Sequence, residues 1–289
     1  MPQGNHVLIE RLQTDGPLAA DEIQALMSII RPRGQVSRHN DIVLEGTPPD
    51  HCTLILSGFA CRYKLLPDGG RQIHAFKLPG DVPDLYTFIL GFTDHAIGAL
   101  TSCDVAAISH HDLEQITRMF PKITRALWRE SLIDAAIARE WLTGLGRRDA
   151  YARVAHLICE QYHRMKAVGL AQKDMLEFPV RQAEIADALG LSTVHVNRTM
   201  KSLSRDRLIS YRNQSITILN WQALQTVGQF DPAYLHSPDA GSSHQQRRDS
   251  NPRKPRSRFI VHSCDAPATA NGLCRLLAME VRALGDHPG

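Results

Sequence analysis

The sequence has no apolar run near the roughly 20 residues needed to cross a bilayer. Its longest, Leu85–Phe92 (LYTFILGF), is far too short. The N-terminal stretch MPQGNHVLIERL carries Glu10 and lacks the apolar core of a signal peptide. These absences predict a soluble, cytoplasmic protein with no membrane partner. Metal signatures are missing as well. Cys52, Cys61, Cys103, Cys159, Cys264 and Cys274 stand singly, with no CxxC pair, which fits reduced thiols. Cys52, Cys61 and Cys103 read as small buried hydrophobes. The adjacent pair His110-His111 has no HExxH or Cys/His spacing beside it and reads as surface. No catalytic constellation and no cofactor motif emerges, so an enzyme is not expected. Net charge is only +3 over 289 residues, which excludes a generally polybasic chain and leaves local charge to decide the partners. What is present is 43% apolar content, enough for about two domains with real cores.

The most informative stretch is Arg181–Leu203, RQAEIADALGLSTVHVNRTMKSL. Ile185, Ala186 and Leu189 share one face of a first helix. Gly190 stands where the chain must turn, because glycine alone takes positive φ there without steric cost. Ser192 suits the N-cap of a second helix. Val196, Met200 and Leu203, three and four apart, point inward. Thr193, Val194, Asn197, Arg198 and Lys201 are left on the outer face. The spacing predicts a helix-turn-helix, whose second helix enters a DNA major groove. A packed helical hairpin with no DNA role has the same periodicity. The neighbours favour the DNA reading. Met175–Val180 reads as a short strand, and Arg207–Leu219 as a hairpin turning at Arg212–Gln214. Strand, two helices and hairpin make a winged helix-turn-helix, with Arg212, Asn213 and Gln214 on the wing.

Upstream, Leu18–Ile30 has helical spacing. From Gln35 to about Ile108, short β-prone runs recur: Asp41–Leu44, Cys52–Leu56, Ala60–Leu65, Gln72–Phe76, Gly98–Thr101 and Val105–Ile108. Turn residues such as Pro67-Asp68-Gly69-Gly70 separate them, which indicates a β-roll or barrel. Pro121–Leu145 is a long helical stretch with Ile123, Leu127, Ile137 and Trp141 near one seam, interrupted by Asp134. A dimer interface is its expected use, with packing within the monomer as the alternative. A second helix, Arg148–Val168, leads into the winged helix. After Leu235 the chain becomes polar and reads as a disordered tail. It holds a basic run from Arg247 to Arg258 and a short helical stretch at Gly272–Leu284.

The order of parts resembles the Crp/Fnr family of bacterial transcription regulators over about Leu18–Phe230. Two segments carry the resemblance: LEGTPPDHCTLILSGFACRYKLLPDGGRQIHAFKLPGD, similar to that family's effector roll, and FPVRQAEIADALGLSTVHVNRTMKSLSRDRLI, similar to its DNA-reading segment. The resemblance implies an α+β chain in four parts. These are a β-roll effector-sensing domain of the cyclic-nucleotide-binding jelly-roll type at 18–120, a dimerisation helix at 121–146, a winged helix-turn-helix DNA-binding domain at 147–235, and a tail at 236–289. It implies a sequence-specific regulator acting as a homodimer, with double-stranded DNA and RNA polymerase as partners. DNA contacts are expected from Arg181, Ser192, Thr193, Val194, Asn197, Arg198, Lys201 and Arg212. The alternative is an effector-sensing or protein-interaction module whose winged helix does not read DNA.

Two departures from the family pattern matter. Members that bind cyclic nucleotides carry a Gly-Glu pair and an Arg-Ser/Thr-Ala triplet. Here Pro83-Asp84 and Asp94-His95-Ala96 stand near those places. A phosphate needs a donor fork and Asp94 repels it, so the effector is unknown and is not expected to be cAMP. Oxygen-sensing members use an N-terminal cysteine cluster, and no cysteine precedes Cys52. In the reading helix, the family's Glu, Ser/Gly and Arg become Val194, Asn197 and Arg198. The half-site is therefore expected to keep a guanine and to differ around it.

Overall fold

The structure is a computed structural model that describes residues 3–14 and 16–237. Two helices, α1 (Gln3–Leu12) and α2 (Ala20–Ile29), precede seven strands: β1 (Arg31–Val36), β2 (Asp41–Val43), β3 (His51–Ile55), β4 (Ala60–Leu65), β5 (Arg71–Lys77), β6 (Ala96–Ala99) and β7 (Cys103–Ser109). A short helix, α3 (Thr87–Leu90), lies between β5 and β6. The strands form two antiparallel sheets, ordered β1-β7-β3 and β2-β6-β4-β5. This is the expected roll. Its fifth β-prone run falls at Ala96–Ala99 rather than Gly98–Thr101. β1 carries no alternation because nearly all its residues are exposed. As an edge strand it tolerates Pro32, and it bulges between Pro32 and Gly34. Ile55, Ala60, Ile97, Ala99, Cys103 and Val105 form a buried cluster drawn from both sheets. Cys52 and Leu54 pack against helical residues around the roll, and Cys61, Ile73 and Phe76 join the core that continues into the C-terminal half of the chain. Burial pushes the Cys61 thiol up to about 12, so these cysteines are inert packing groups.

Helix α4 (His110–Met119) starts at the histidine pair, capped by Ser109 Oγ accepting from Asp112 N–H. His111 is exposed, whereas His110 is half-buried beside Thr87, which corrects the surface reading for His110. The long helix α5 runs Pro121–Arg147. Its expected seam, Ile123, Leu127, Ile137 and Trp141, is buried within its own chain. The large apolar residues that α5 leaves exposed lie off that seam: Trp128, Leu132, Leu142 and Leu145. Asp134, the apparent interruption, faces the roll, where its carboxylate accepts from Arg62 at 2.6 Å and pairs with Lys77.

The C-terminal module follows as α6 (Ala150–Ala167), β8 (Ala171–Gln172), β9 (Met175–Glu177), α7 (Gln182–Leu189), α8 (Thr193–Arg205), β10 (Ile209–Arg212), β11 (Ser215–Ile218), α9 (Trp221–Gly228) and a 3-10 turn at Pro232–Leu235. Its sheet is ordered β10-β11-β9-β8. Helix α6 is the spine, with apolar Val154, Leu157, Ile158 and Met165 buried alongside polar Glu160. The Glu160 carboxylate is satisfied by Trp141 Nε1 at 3.0 Å, Tyr234 O–H at 2.8 Å and Gln161 Nε2 at 3.1 Å. This meets the rule that a buried charge must be hydrogen-bonded. Arg164 ties the module to the roll, donating to Phe76 O and to Asp81 Oδ2, both at 3.0 Å. The tail's basic run, the stretch at Gly272–Leu284, Cys264 and Cys274 lie outside the described residues.

Candidate nucleic-acid interface

The first helix of the motif, α7, is built for rigidity. Arg181 sits at its N-cap, and its backbone N–H donates to the buried Glu184 carboxylate one turn on. At the other end Gly190 has φ +60°, a left-handed conformation that costs other residues roughly 1 kcal/mol or more. A Cβ there would find room, 3.6 Å from Leu145, so the requirement is conformational rather than steric. Arg153 Nη1 donates to Leu189 O at 2.6 Å. On the roll side, Arg71 clamps Asp187 through Nε and Nη2, each at 2.8 Å.

Helix α8 starts at the expected cap: Ser192 Oγ accepts from His195 N–H at 3.2 Å. Val196, Met200 and Leu203 are buried against the module core, each stabilising the docked helix by about 2 kcal/mol. On the other side Thr193, Val194, Arg198 and Lys201 are exposed. Val194 is 69% exposed, an apolar side chain held in water. Among the described residues, neither Arg198 nor Lys201 has an ion-pair partner. Asn197 is half-buried, and its Nδ2 donates to Gln182 Oε1 at 3.0 Å. Arg181 is exposed next to this face, and Arg212 is exposed at the end of β10.

The wing is a two-residue hairpin in which Arg212 pairs with Ser215. Its turn residues Asn213 and Gln214 have φ of +48° and +62°, the mirror-image turn that matches strand twist. Two exposed residues on α8, His195 and Arg205, escaped the sequence reading. With Arg198 they recur at intervals of three and seven, the helical spacing that marks one stripe.

In the roll, Asp84 is buried and its carboxylate accepts from Thr53 N–H at 2.7 Å. Burial raises its carboxyl to about 6. Asp94 is exposed and lies 2.7 Å from His95 Nδ1. Burial, with the charge of Arg62, lowers the His95 imidazole to about 4. Arg62 itself is committed to Asp134. Asp94 and His95 thus present a carboxylate and a mostly neutral imidazole here, and the cation acting on His95 is already paired with Asp134.

The chain matches the cyclic nucleotide-binding domain family over residues 33–119 and the Crp-like helix-turn-helix domain family over residues 152–227. The nitrogen fixation regulation protein FixK of Bradyrhizobium diazoefficiens is 33% identical over 167 residues, covering 57% of this chain and 69% of the relative. The transcriptional activator protein FnrL of Cereibacter sphaeroides is 26% identical over 184 residues, covering 62% of this chain and 72% of the relative. The solved structure of FixK2 from Bradyrhizobium japonicum superposes with a TM-score of 0.63 at 27% identity, covering 69% of this chain and 97% of that one. A β-roll joined through a long helix to a winged helix-turn-helix defines a DNA-binding transcription regulator. The chain belongs to the Crp/Fnr family.

Proposed function

We propose that two copies of this chain bind one near-palindromic site on duplex DNA, each laying α8 into a major groove. The observation that carries this is the division of α8 into a buried side and a water-facing side with cations free to meet DNA. Arg198 bonds guanine O6 and N7 as a bidentate fork, Val194 packs on a thymine methyl, and Asn197 bonds an adenine. Arg181, Ser192, Thr193, Lys201 and Arg212 meet the phosphate backbone, which sets affinity and register rather than sequence. Dimerisation uses the exposed stripe of α5. Trp128, Ala135 and Leu142 recur every seven residues with Leu132 beside them, the period of a helix-pairing seam. The regulator works in the cytoplasm with RNA polymerase. Its effector is not a cyclic nucleotide, on the strength of Asp94 and the Arg62–Asp134 pair.

The test is binding of Arg198→Ala and Lys201→Ala to specific and random duplexes across a salt series. Arg198→Ala is expected to cost about 1–3 kcal/mol on the specific duplex and little on random DNA. Lys201→Ala is expected to weaken both alike and to flatten the salt slope by about one. An Arg198→Ala variant that discriminates as well as the wild type refutes the assignment.

A further inference from the structure

We propose that Gln182 is a specificity-determining positioning residue, fixing the Asn197 carboxamide in the orientation that reads adenine. The inference rests on α8 being the DNA-reading helix and adds a residue from the other helix of the motif. Gln182 opens α7, and Asn197 lies one turn into α8. Both side chains are half-buried where the two helices meet, and Asn197 Nδ2 donates to Gln182 Oε1 at 3.0 Å.

A carboxamide has two N–H donors and one carbonyl acceptor. Gln182 takes one donor. The second donor and Oδ1 remain, and together they match the adenine major-groove edge, which offers the N6 donor and the N7 acceptor. The last torsion of an asparagine is broad and roughly two-fold. Without an anchor the group turns over and exchanges its donor and acceptor. The anchor is itself held. The residue before it, Arg181, donates its backbone N–H to buried Glu184, and Arg71 clamps Asp187 on the same helix. Gln182 therefore acts through Asn197 and need not touch a base.

The experiment measures binding of full-length wild type, Gln182→Ala, Gln182→Glu and Asn197→Ala to all single-base-pair variants of the wild type's preferred site. Asn197→Ala is expected to lose adenine preference at one position per half-site. Gln182→Ala reduces the preference at that same position about three- to tenfold, the net worth of one hydrogen bond, and keeps the guanine preference set by Arg198. Gln182→Glu keeps an acceptor and restores the adenine preference, while its charge weakens all sites uniformly. If Gln182→Ala keeps full preference where Asn197→Ala loses it, the inference fails and the reading of α8 stands. If Gln182→Ala erases the guanine preference too, its role is structural and the inference fails. If Asn197→Ala changes no position, the base assignment of α8 fails and the inference falls with it.

Discussion

Replacing Asp134 with asparagine removes the countercharge from two cations that the roll has taken out of water. Lys77 is 6% exposed, Arg62 11% and Asp134 29%. Burial alone would raise the Asp134 carboxyl, but Lys77 and Arg62 outweigh it and hold the group well below the usual carboxylate range. Burial holds the Lys77 ammonium below its ordinary value even with Asp134 beside it. Breaking a buried pair costs about 3–5 kcal/mol. The partial exposure of Asp134 places Asp134→Asn at the lower end, about 3 kcal/mol at neutral pH. In urea this moves the unfolding midpoint by about 1 M or more. The sign with pH follows from the depressed carboxyl. Its stabilisation is complete above the unfolded pKa, about 4, and is lost as pH falls through the lower folded value. The deficit of the variant is therefore full at pH 7 and closes below about pH 4. Replacing the whole triad with Arg62→Leu, Lys77→Met and Asp134→Leu is expected to land within about 1–2 kcal/mol of the wild type, because no buried charge is then orphaned. A loss under about 1 kcal/mol for Asp134→Asn shows that the cations are solvated, and refutes the reasoning.

Asp84→Asn gives the opposite sign. Burial raises that carboxyl from 3.8 to about 6, so its charged form is penalised by up to roughly 3 kcal/mol above pH 6. The variant keeps an acceptor for Thr53 and is expected to unfold at higher urea than the wild type at pH 8. The gain vanishes by pH 4, and an equal difference at both pH values contradicts it. Gly190→Ala is expected to lower stability by about 1–2 kcal/mol through positive φ alone, read by thermal unfolding; an unchanged midpoint rejects the turn. Leu132→Asp with Leu142→Asp is expected to yield folded monomers in sedimentation velocity and to abolish cooperative DNA binding. A dimer of wild-type affinity moves the interface away from α5.

The winged helix was legible because its determinants are local. Gly190, Ser192 and the three-four spacing of Val196, Met200 and Leu203 lie within a few residues of one another, and each sits where the spacing puts it. The roll was legible through its turns. Helix α1 was missed, as were α4 and α9: α9 is only eight residues long, and α4 begins with a histidine pair taken for surface. Strand β1 was missed because an exposed edge carries no period-two signal. Long-range partners were out of reach. Asp134 looks like a defect in a seam until Arg62 and Lys77, 72 and 57 residues away, are placed beside it. The seam left two uses open for the same reason, and Ile123, Leu127, Ile137 and Trp141 take the alternative, packing within their own chain. Periodicity finds an apolar face, and whether the roll or a second copy covers it depends on tertiary packing. At the interface, the exposure of Thr193, Val194, Arg198 and Lys201 was readable from helical spacing, whereas His195 and Arg205 were passed over and the Gln182–Asn197 bond depends on how two helices meet.

The most direct test of the central claim is selection of bound sites from a random duplex library, using purified full-length protein at fixed moderate salt, with and without cyclic AMP. The expected result is one near-palindromic site. Its half-sites each contain a guanine, lie about one helical turn apart, and are enriched equally in both conditions. No enrichment, or enrichment of a lone half-site, contradicts a dimer reading DNA through α8. Enrichment only with the nucleotide contradicts the account of Asp94 and the Arg62–Asp134 pair.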